Sequence, residues 1–187
     1  MVHSLKNYLV ATAMCLTTIG FTSCVKDDET SIQPARSIHD AHGKYTGVLT
    51  ADKVFQDTVQ VTIDSVSKTV QISKFPVKAI VRALVDSTQQ AAALKSTTEC
   101  AVKMAYTGSV NSDIVRLQLG AQVMDFDMTV NEKVAKVKVF FGKNGVCLYN
   151  NTFKIVNVAL VADSLLMDGV KCKDVKSVQY LFQQTKK

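Results

Sequence analysis

The chain has 187 residues, 47% of them apolar and 20% charged, with a formal charge of +6. That is the length of one domain and the composition of an ordinary globular body. It argues against a disordered chain and against a multi-span membrane protein.

Residues 1–23 read as an export signal. Lys6 supplies the basic start, no acidic residue precedes Asp27, and Tyr8 to Phe21 is apolar or small. That run is too short for a spanning helix, which needs about 20 residues. It ends in Phe21-Thr22-Ser23-Cys24, with small residues directly before a cysteine. Thr22, Ser23 and Cys24 resemble a bacterial lipobox, and Phe21 is a looser match than the usual leucine. The resemblance implies cleavage before Cys24, a diacylglyceryl group on its thiol and a further acyl chain on its new amino group. Several chains anchor stably, because each buried methylene contributes roughly 0.8 kcal/mol. The next residues, Lys26-Asp27-Asp28-Glu29, resemble the short Lys-plus-acidic run that directs Bacteroidetes lipoproteins to the outer face of the outer membrane. The expected location is therefore the outer membrane, lipid-anchored and facing the cell exterior, with a periplasm-facing anchor as the alternative. Residues 24–43 form a flexible tether broken by Pro34, and a single β-rich domain spans 44–187.

From about Lys44 onward, period-two alternation marks half-buried strands. Phe55, Val59, Val61 and Ile63 oppose Gln56, Thr58, Gln60 and Thr62. Val102, Met104 and Tyr106 form a second set, and Met124, Phe126, Met128 and Val130 a third. Val137, Val139 and Phe141 form a fourth, with Tyr180 and Phe182 near the end. Turn signals separate them at Asn111-Ser112-Asp113, Asn131-Glu132-Lys133, Asn150-Asn151 and Asp168-Gly169. Asn144-Gly145 is a candidate type I′ hairpin, since both residues tolerate positive φ. One segment departs from this pattern: Pro76 opens an amphipathic helix over about 76–94, with Val77, Ile80, Val81 and Leu84 on one face. The fold class is mainly β, an antiparallel sandwich or barrel with one helix covering an end or a face. Tyr45-Thr46-Gly47 recurs as Tyr106-Thr107-Gly108, but the residues that follow diverge, so the repeat reads as coincidence or as similar strand starts.

Little in the chain announces chemistry. After the signal the only histidines are His39 and His42; three apart with no nearby Cys or carboxylate cluster, they read as exposed tether residues rather than a metal site. There is no nucleophile elbow, phosphate loop, zinc-protease helix or dinucleotide fingerprint. Asp125 and Asp127 share a strand face, where a solvated sheet surface outweighs a catalytic pair. No catalytic residue, cofactor or metal is assigned, and an enzyme is not expected. Cys100, Cys147 and Cys172 allow at most one disulfide, and their spacing fits no zinc motif. Lys171, Lys173, Lys176, Lys186 and Lys187 gather charge near the C-terminus, yet no aromatic–basic motif accompanies them, so no nucleic-acid partner is expected. Four Asp-(Ser/Thr) sites look like those that Bacteroidetes O-glycosylate on exported proteins, which would place glycan on Thr58, Ser65, Ser87 or Ser164.

With the lipobox, the acidic run and a β body in which Phe75-Pro76 opens a helix, the chain is similar to the small domain-of-unknown-function lipoproteins grouped as family 4840. No catalytic residues come with that resemblance. The expected function is a non-catalytic, lipid-anchored surface protein that binds a glycan, a lipid-like molecule or another protein. The alternative is a structural or assembly subunit of an envelope complex. The membrane is the one expected partner of known kind, reached through lipidated Cys24.

Overall fold

A residue that alternates between core and solvent belongs to a strand with one buried face, and the alternating segments all form strands in a computed structural model describing residues 35–173 and 175–185. They are β1 Gly43–Ala51, β2 Phe55–Asp64, β3 Thr69–Ser73, β4 Val102–Asn111, β5 Ile114–Leu119, β6 Gln122–Val130, β7 Lys133–Phe141, β8 Val146–Asn150, β9 Ile155–Met167, β10 Val170–Lys171 and β11 Val178–Gln184. Eight of them close into an antiparallel barrel in the order β1-β2-β3-β4-β5-β8-β9-β11, with β11 pairing both β9 and β1. Of the two architectures open from the sequence, the protein is therefore the barrel.

Closure depends on β9. Its 13 residues serve several neighbours: Ile155–Ala159 pair with β8, Asn157–Ala162 with β11, and Ala162–Met167 with β7. A register shift between Phe140 and Phe141 leaves Asp163 unpaired, the local signature of a β-bulge. The β6–β7 hairpin thus leaves the barrel as an extension of its wall. At the seam between β1 and β11 only glycine fits position 47, because a Cβ there would sit 2.3 Å from the Gln183 carbonyl oxygen.

The helical segment differs from expectation. It is two helices, α1 Lys78–Leu84 and α2 Ser87–Ser96. The break falls at Val85 and Asp86, both in extended conformation. A β-branched residue followed by an aspartate ends one helix and starts the next more readily than it continues the first. Ala79, Ile80, Val81 and Ala93 are buried in the core with the barrel's inward residues. Phe75, just before α1, stacks at 4.7 Å on Tyr180 of β11 and at 5.5 Å on Phe141 of β7. Each such pair adds about 0.5–1.5 kcal/mol beyond the area buried. The β6–β7 hairpin covers α2, with the Thr129 N–H donating to Ser96 Oγ at 2.7 Å and Gln89 bonded to Asn131. Helices and hairpin together close one end of the barrel.

The expected hairpin at Asn144-Gly145 is not formed. Strands β7 and β8 are not neighbours, and neither residue has positive φ. Gly145 is small for a different reason: a Cβ would lie 3.1 Å from Leu160 and 3.2 Å from Leu119. Two two-residue turns instead have left-handed backbone at both positions: Asn131-Glu132, with φ of 48° and 62°, and Asp168-Gly169, with 52° and 80°. Both match the type I′ requirement.

At the opposite end the ordered fold starts earlier than the tether reading allows. Ile38–Ala41 form a 3-10 turn rather than flexible chain. Ser37 and Asp40 make a reciprocal capping box: the His39 N–H donates to Ser37 Oγ at 3.2 Å and the Ser37 N–H to Asp40 at 3.0 Å. Tyr45 donates to the Ala41 carbonyl at 2.9 Å, and Ala41 is fully buried. Arg36 reaches Asp113 at 3.2 Å. The turn is thus fastened to the barrel end by side chains from β1 and from the β4–β5 turn.

Candidate functional site

Three separate segments meet beside the 3-10 turn. In the β2–β3 turn, the Asp64 carboxylate accepts from the Val66 N–H at 2.9 Å, the Ser67 N–H at 3.2 Å and the Ser67 hydroxyl at 2.7 Å. That knot holds Lys68 in a left-handed conformation, φ 52°. The Lys68 carbonyl accepts the Tyr106 N–H at 3.0 Å, which brings β4 alongside. On the other flank Ile38 lies across Gly108, where a Cβ would be 2.9 Å from Ile38 Cδ1. Between them Ile38, His39, Ser65, Lys68, Tyr106, Thr107 and Gly108 enclose a cavity of about 430 Å³.

One of the lining residues holds a polar group out of balance. Tyr106 is only 6% exposed, and its buried hydroxyl has no hydrogen-bond partner among the described residues. Leaving such a group unsatisfied costs about 1–3 kcal/mol. Burial, and then the Asp64 and Cys147 charges, push its pKa up, so the phenol stays a protonated donor. Tyr45 at the same end is also held protonated by burial, but its donor is taken by Ala41. Below the rim, the Ser65 N–H donates to His42 Nδ1 at 3.2 Å, while the Ser65 hydroxyl stands 3.4 Å from the same nitrogen. That bond fixes His42 as the tautomer protonated on Nε2. Lys68 has no ion-pair partner among the described residues.

A second cleft, of about 400 Å³, lies between Phe75–Lys78 and Thr97–Cys100. Its charges are already matched: Lys74 pairs Glu99 at 3.7 Å and Lys78 pairs Asp57 at 3.5 Å.

The residues singled out in the sequence are scattered. The signal 1–23, Cys24 and Lys26, Asp27, Asp28 and Glu29 lie outside the described residues. Of the candidate glycosylation sites, Thr58 is exposed on β2, Ser87 is exposed at the start of α2, and Ser164 is half-buried on β9. Ser65 is 9% exposed beneath His42, so the fold encloses its hydroxyl. Asp125 and Asp127 face solvent on β6, across from Lys138 and Lys136 of β7. Cys100, Cys147 and Cys172 are free thiols. Burial pushes Cys147 up to about 12 and raises Cys100 as well, so neither is poised as a nucleophile. Lys171, Lys173 and Lys176 are exposed. Among the described residues no three His, Cys, Asp or Glu side chains converge on a possible metal position, and no helix is long and apolar enough to cross a membrane.

What the sequence did not single out is the convergence of Ser65, Lys68 and Tyr106. The signal was the repeated Tyr-Thr-Gly triplet. Both glycines permit a close approach, Gly47 to β11 and Gly108 to Ile38.

No curated protein and no solved structure matches the chain. A family model described as "Domain of unknown function (DUF4840)" matches residues 40–167. The match takes in Ser65, Lys68 and Tyr106–Gly108 of the cavity and stops short of β11, which closes the barrel. The chain belongs to the DUF4840 family.

Proposed function

We propose that the domain is a non-catalytic binding module, held to a membrane through lipidated Cys24 and directed to the cell exterior by Lys26–Glu29, whose ligand occupies the cavity beside the 3-10 turn. The observation that carries this reading is the cavity itself, about 430 Å³ lined by Ile38, Lys68, Tyr106 and Gly108, in which Lys68 has no ion-pair partner among the described residues. Elsewhere the barrel interior holds buried apolar side chains, and a concave, partly apolar site of this size with a few polar groups has the ordinary form of a binding pocket. One pairing at the site invites a catalytic interpretation, Ser65 with His42. Its geometry disfavours one: the imidazole nitrogen is engaged by the Ser65 backbone N–H at 3.2 Å, and the hydroxyl contact of 3.4 Å is long for proton transfer.

The test is thermal melting of the full chain against small envelope and dietary molecules, alongside Tyr106→Phe and Gly108→Leu. A ligand that raises the melting temperature of the wild type but of neither variant supports the reading. Failure of every compound, or an equal shift in all three proteins, overturns it. Location is tested by protease shaving of intact cells, where loss of the domain beside an intact periplasmic control supports display outside. Glycan at exposed Thr58 or Ser87 belongs to the same proposal, and an unshifted intact mass of native protein removes it.

One observation favours the alternative of an assembly subunit. Among the described residues β6 ends the sheet path with no strand on its outer side; α2 caps only its Thr129 N–H there, and the rest of such an edge is a template for a partner strand. Cross-linking in cells that recovers only monomer counts against it.

A further inference from the structure

We infer that the barrel end carrying the 3-10 turn rests on the lipid bilayer, with Val66 and Phe153 as its two points of contact. This rests on the lipid-anchor part of the proposed function and is independent of the cavity.

Four stretches of chain are tied together at that end. Arg36, next to the start of the described residues, reaches Asp113 in the β4–β5 turn at 3.2 Å. The Asp113 carbonyl accepts the Asn151 N–H of the β8–β9 turn at 2.7 Å, and its carboxylate accepts the Thr152 hydroxyl at 2.9 Å. Asn151 also donates to Asp40 of the 3-10 turn at 3.3 Å, and His42 accepts the Ser65 N–H of the β2–β3 turn at 3.2 Å. The chain therefore enters the fold at this rim, among three strand turns.

Two of those turns hold an apolar side chain out in water. Val66 is 87% exposed and Phe153 60%. A loose backbone does not account for either. The Val66 N–H donates to Asp64 at 2.9 Å and the Phe153 N–H to Asn150 at 3.0 Å, each closing its own turn. In the barrel order the β2–β3 and β8–β9 turns are half a circuit apart, so the two apolar tips stand on opposite sides of the rim. A flat apolar partner meets both at once. Lys68 and Lys154 are exposed in the same turns. They suit the headgroup level, where ammonium groups stay wet while apolar neighbours sink to the acyl boundary.

Composition alone does not choose this end, because the opposite one shows exposed Val54 beside Lys53 and exposed Val170 beside Lys171. The point of chain entry chooses it. Cys24 lies eleven residues before Ala35, which bounds its distance from this rim to about 40 Å. A rim at the end of so short a link meets the bilayer at high effective concentration, so two small contacts are enough to favour it. The opposite end needs the link to run the height of the barrel first, about 20 Å for a tilted nine-residue strand such as β1.

The chain has no tryptophan, so a single one reports its own surroundings. Phe153→Trp, Val66→Trp, Val54→Trp and Val170→Trp are each made in the protein as the cell processes it and purified from membranes. Each is then reconstituted into vesicles of equal parts phosphatidylethanolamine and phosphatidylglycerol. All four sites are exposed, and equal melting temperatures show that the fold is kept. Intact mass reads acylation of Cys24, and flotation reads attachment. With lipids brominated high on the acyl chain, quenching at positions 153 and 66 is expected to be at least threefold that at 54 and 170. Equal quenching at both ends, quenching confined to the opposite end or to one rim position, or none at all in floated protein overturns the inference and leaves the anchor standing. A Cys24 without acyl groups, or protein that does not float, overturns the anchor and takes the inference with it.

Discussion

Replacing each of two tyrosines by phenylalanine removes one oxygen from the same end of the barrel, yet the structure demands opposite results. The Tyr106 hydroxyl is buried and unpartnered. Its removal gives back the desolvation of an unsatisfied donor, about 1–3 kcal/mol, and loses no hydrogen bond. The Tyr45 hydroxyl donates at 2.9 Å to the carbonyl of Ala41, a residue with no exposed surface. Its removal forfeits a net bond of about 0.5–1.5 kcal/mol and also orphans that carbonyl, so the loss should sit at or above the top of that range. The two variants should therefore differ by about 2.5–4.5 kcal/mol in stability, with the wild type between them. Tyr180 is an internal control, because its hydroxyl reaches the Pro76 carbonyl only at 3.5 Å; a bond that long makes Tyr180→Phe close to neutral.

Urea unfolding of the purified chain, without added ligand, measures the difference. Tyr106→Phe should move the midpoint up and Tyr45→Phe should move it down, with the slope unchanged in both. A stability loss of about 1 kcal/mol or more in Tyr106→Phe would refute the reasoning. It would mean that the hydroxyl is bonded in the free protein. Midpoints that shift together with the slope would instead mark a changed denatured state, and the comparison would then be repeated from folding and unfolding rates.

Three further outcomes follow from named contacts. Asp40 has its pKa lowered mainly by the Ser37 N–H. Its contribution is therefore complete above the unfolded carboxylate pKa of about 3.9 and is lost as pH falls through the lower folded value. Amide exchange at Ser37 should accelerate below about pH 4, and Asp40→Asn should show the fast exchange at neutral pH. Gly47→Ala forces a Cβ to within 2.3 Å of a backbone oxygen at the β1–β11 seam, and overpacking of this kind costs about 1–3 kcal/mol; a thermal melt reads it directly. A thiol reagent at pH 8 should react first with half-buried Cys172, and with Cys147 only on unfolding, since that thiol is fully buried and pushed up to about 12.

Five strands, β2, β4, β6, β7 and β11, were legible because each has one wet and one dry face, a property that a single strand carries by itself. Met124, Phe126 and Met128 are buried, while Asp125 and Asp127 between them are exposed, as alternation alone requires. Closure into a barrel is a property of pairs, and it passes through β9. The run Val156, Val158, Leu160 and Ala162 alternates cleanly, then slips at Asp163 and resumes at Leu165. In the sequence Asp163-Ser164 looks like the end of a strand, and as a modification motif it draws attention elsewhere. In the fold Asp163 is the bulge that lets one strand leave β8 and β11 and take up β7, with its carboxylate lying over Gly142. The site follows the same logic more severely. Ile38, Lys68 and Tyr106 are far apart in the chain, and each alone has an ordinary explanation: a tether residue, a turn lysine, a core aromatic. Only the β3–β4 pairing, carried one step further by the Tyr106 N–H to Lys68 carbonyl bond, and the fit of Ile38 over Gly108 bring them to one cavity. The repeated triplet was the visible trace of that requirement. A tyrosine two residues before a glycine puts both side-chain positions on the same face of the strand, so the glycine makes room for a neighbour directly beside the phenol. At Tyr45 the neighbour is the chain's own β11, and the phenol finds its partner in Ala41. At Tyr106 the neighbour is the edge of the 3-10 turn, which leaves a cavity beside the residue, and the buried phenol has no partner among the described residues.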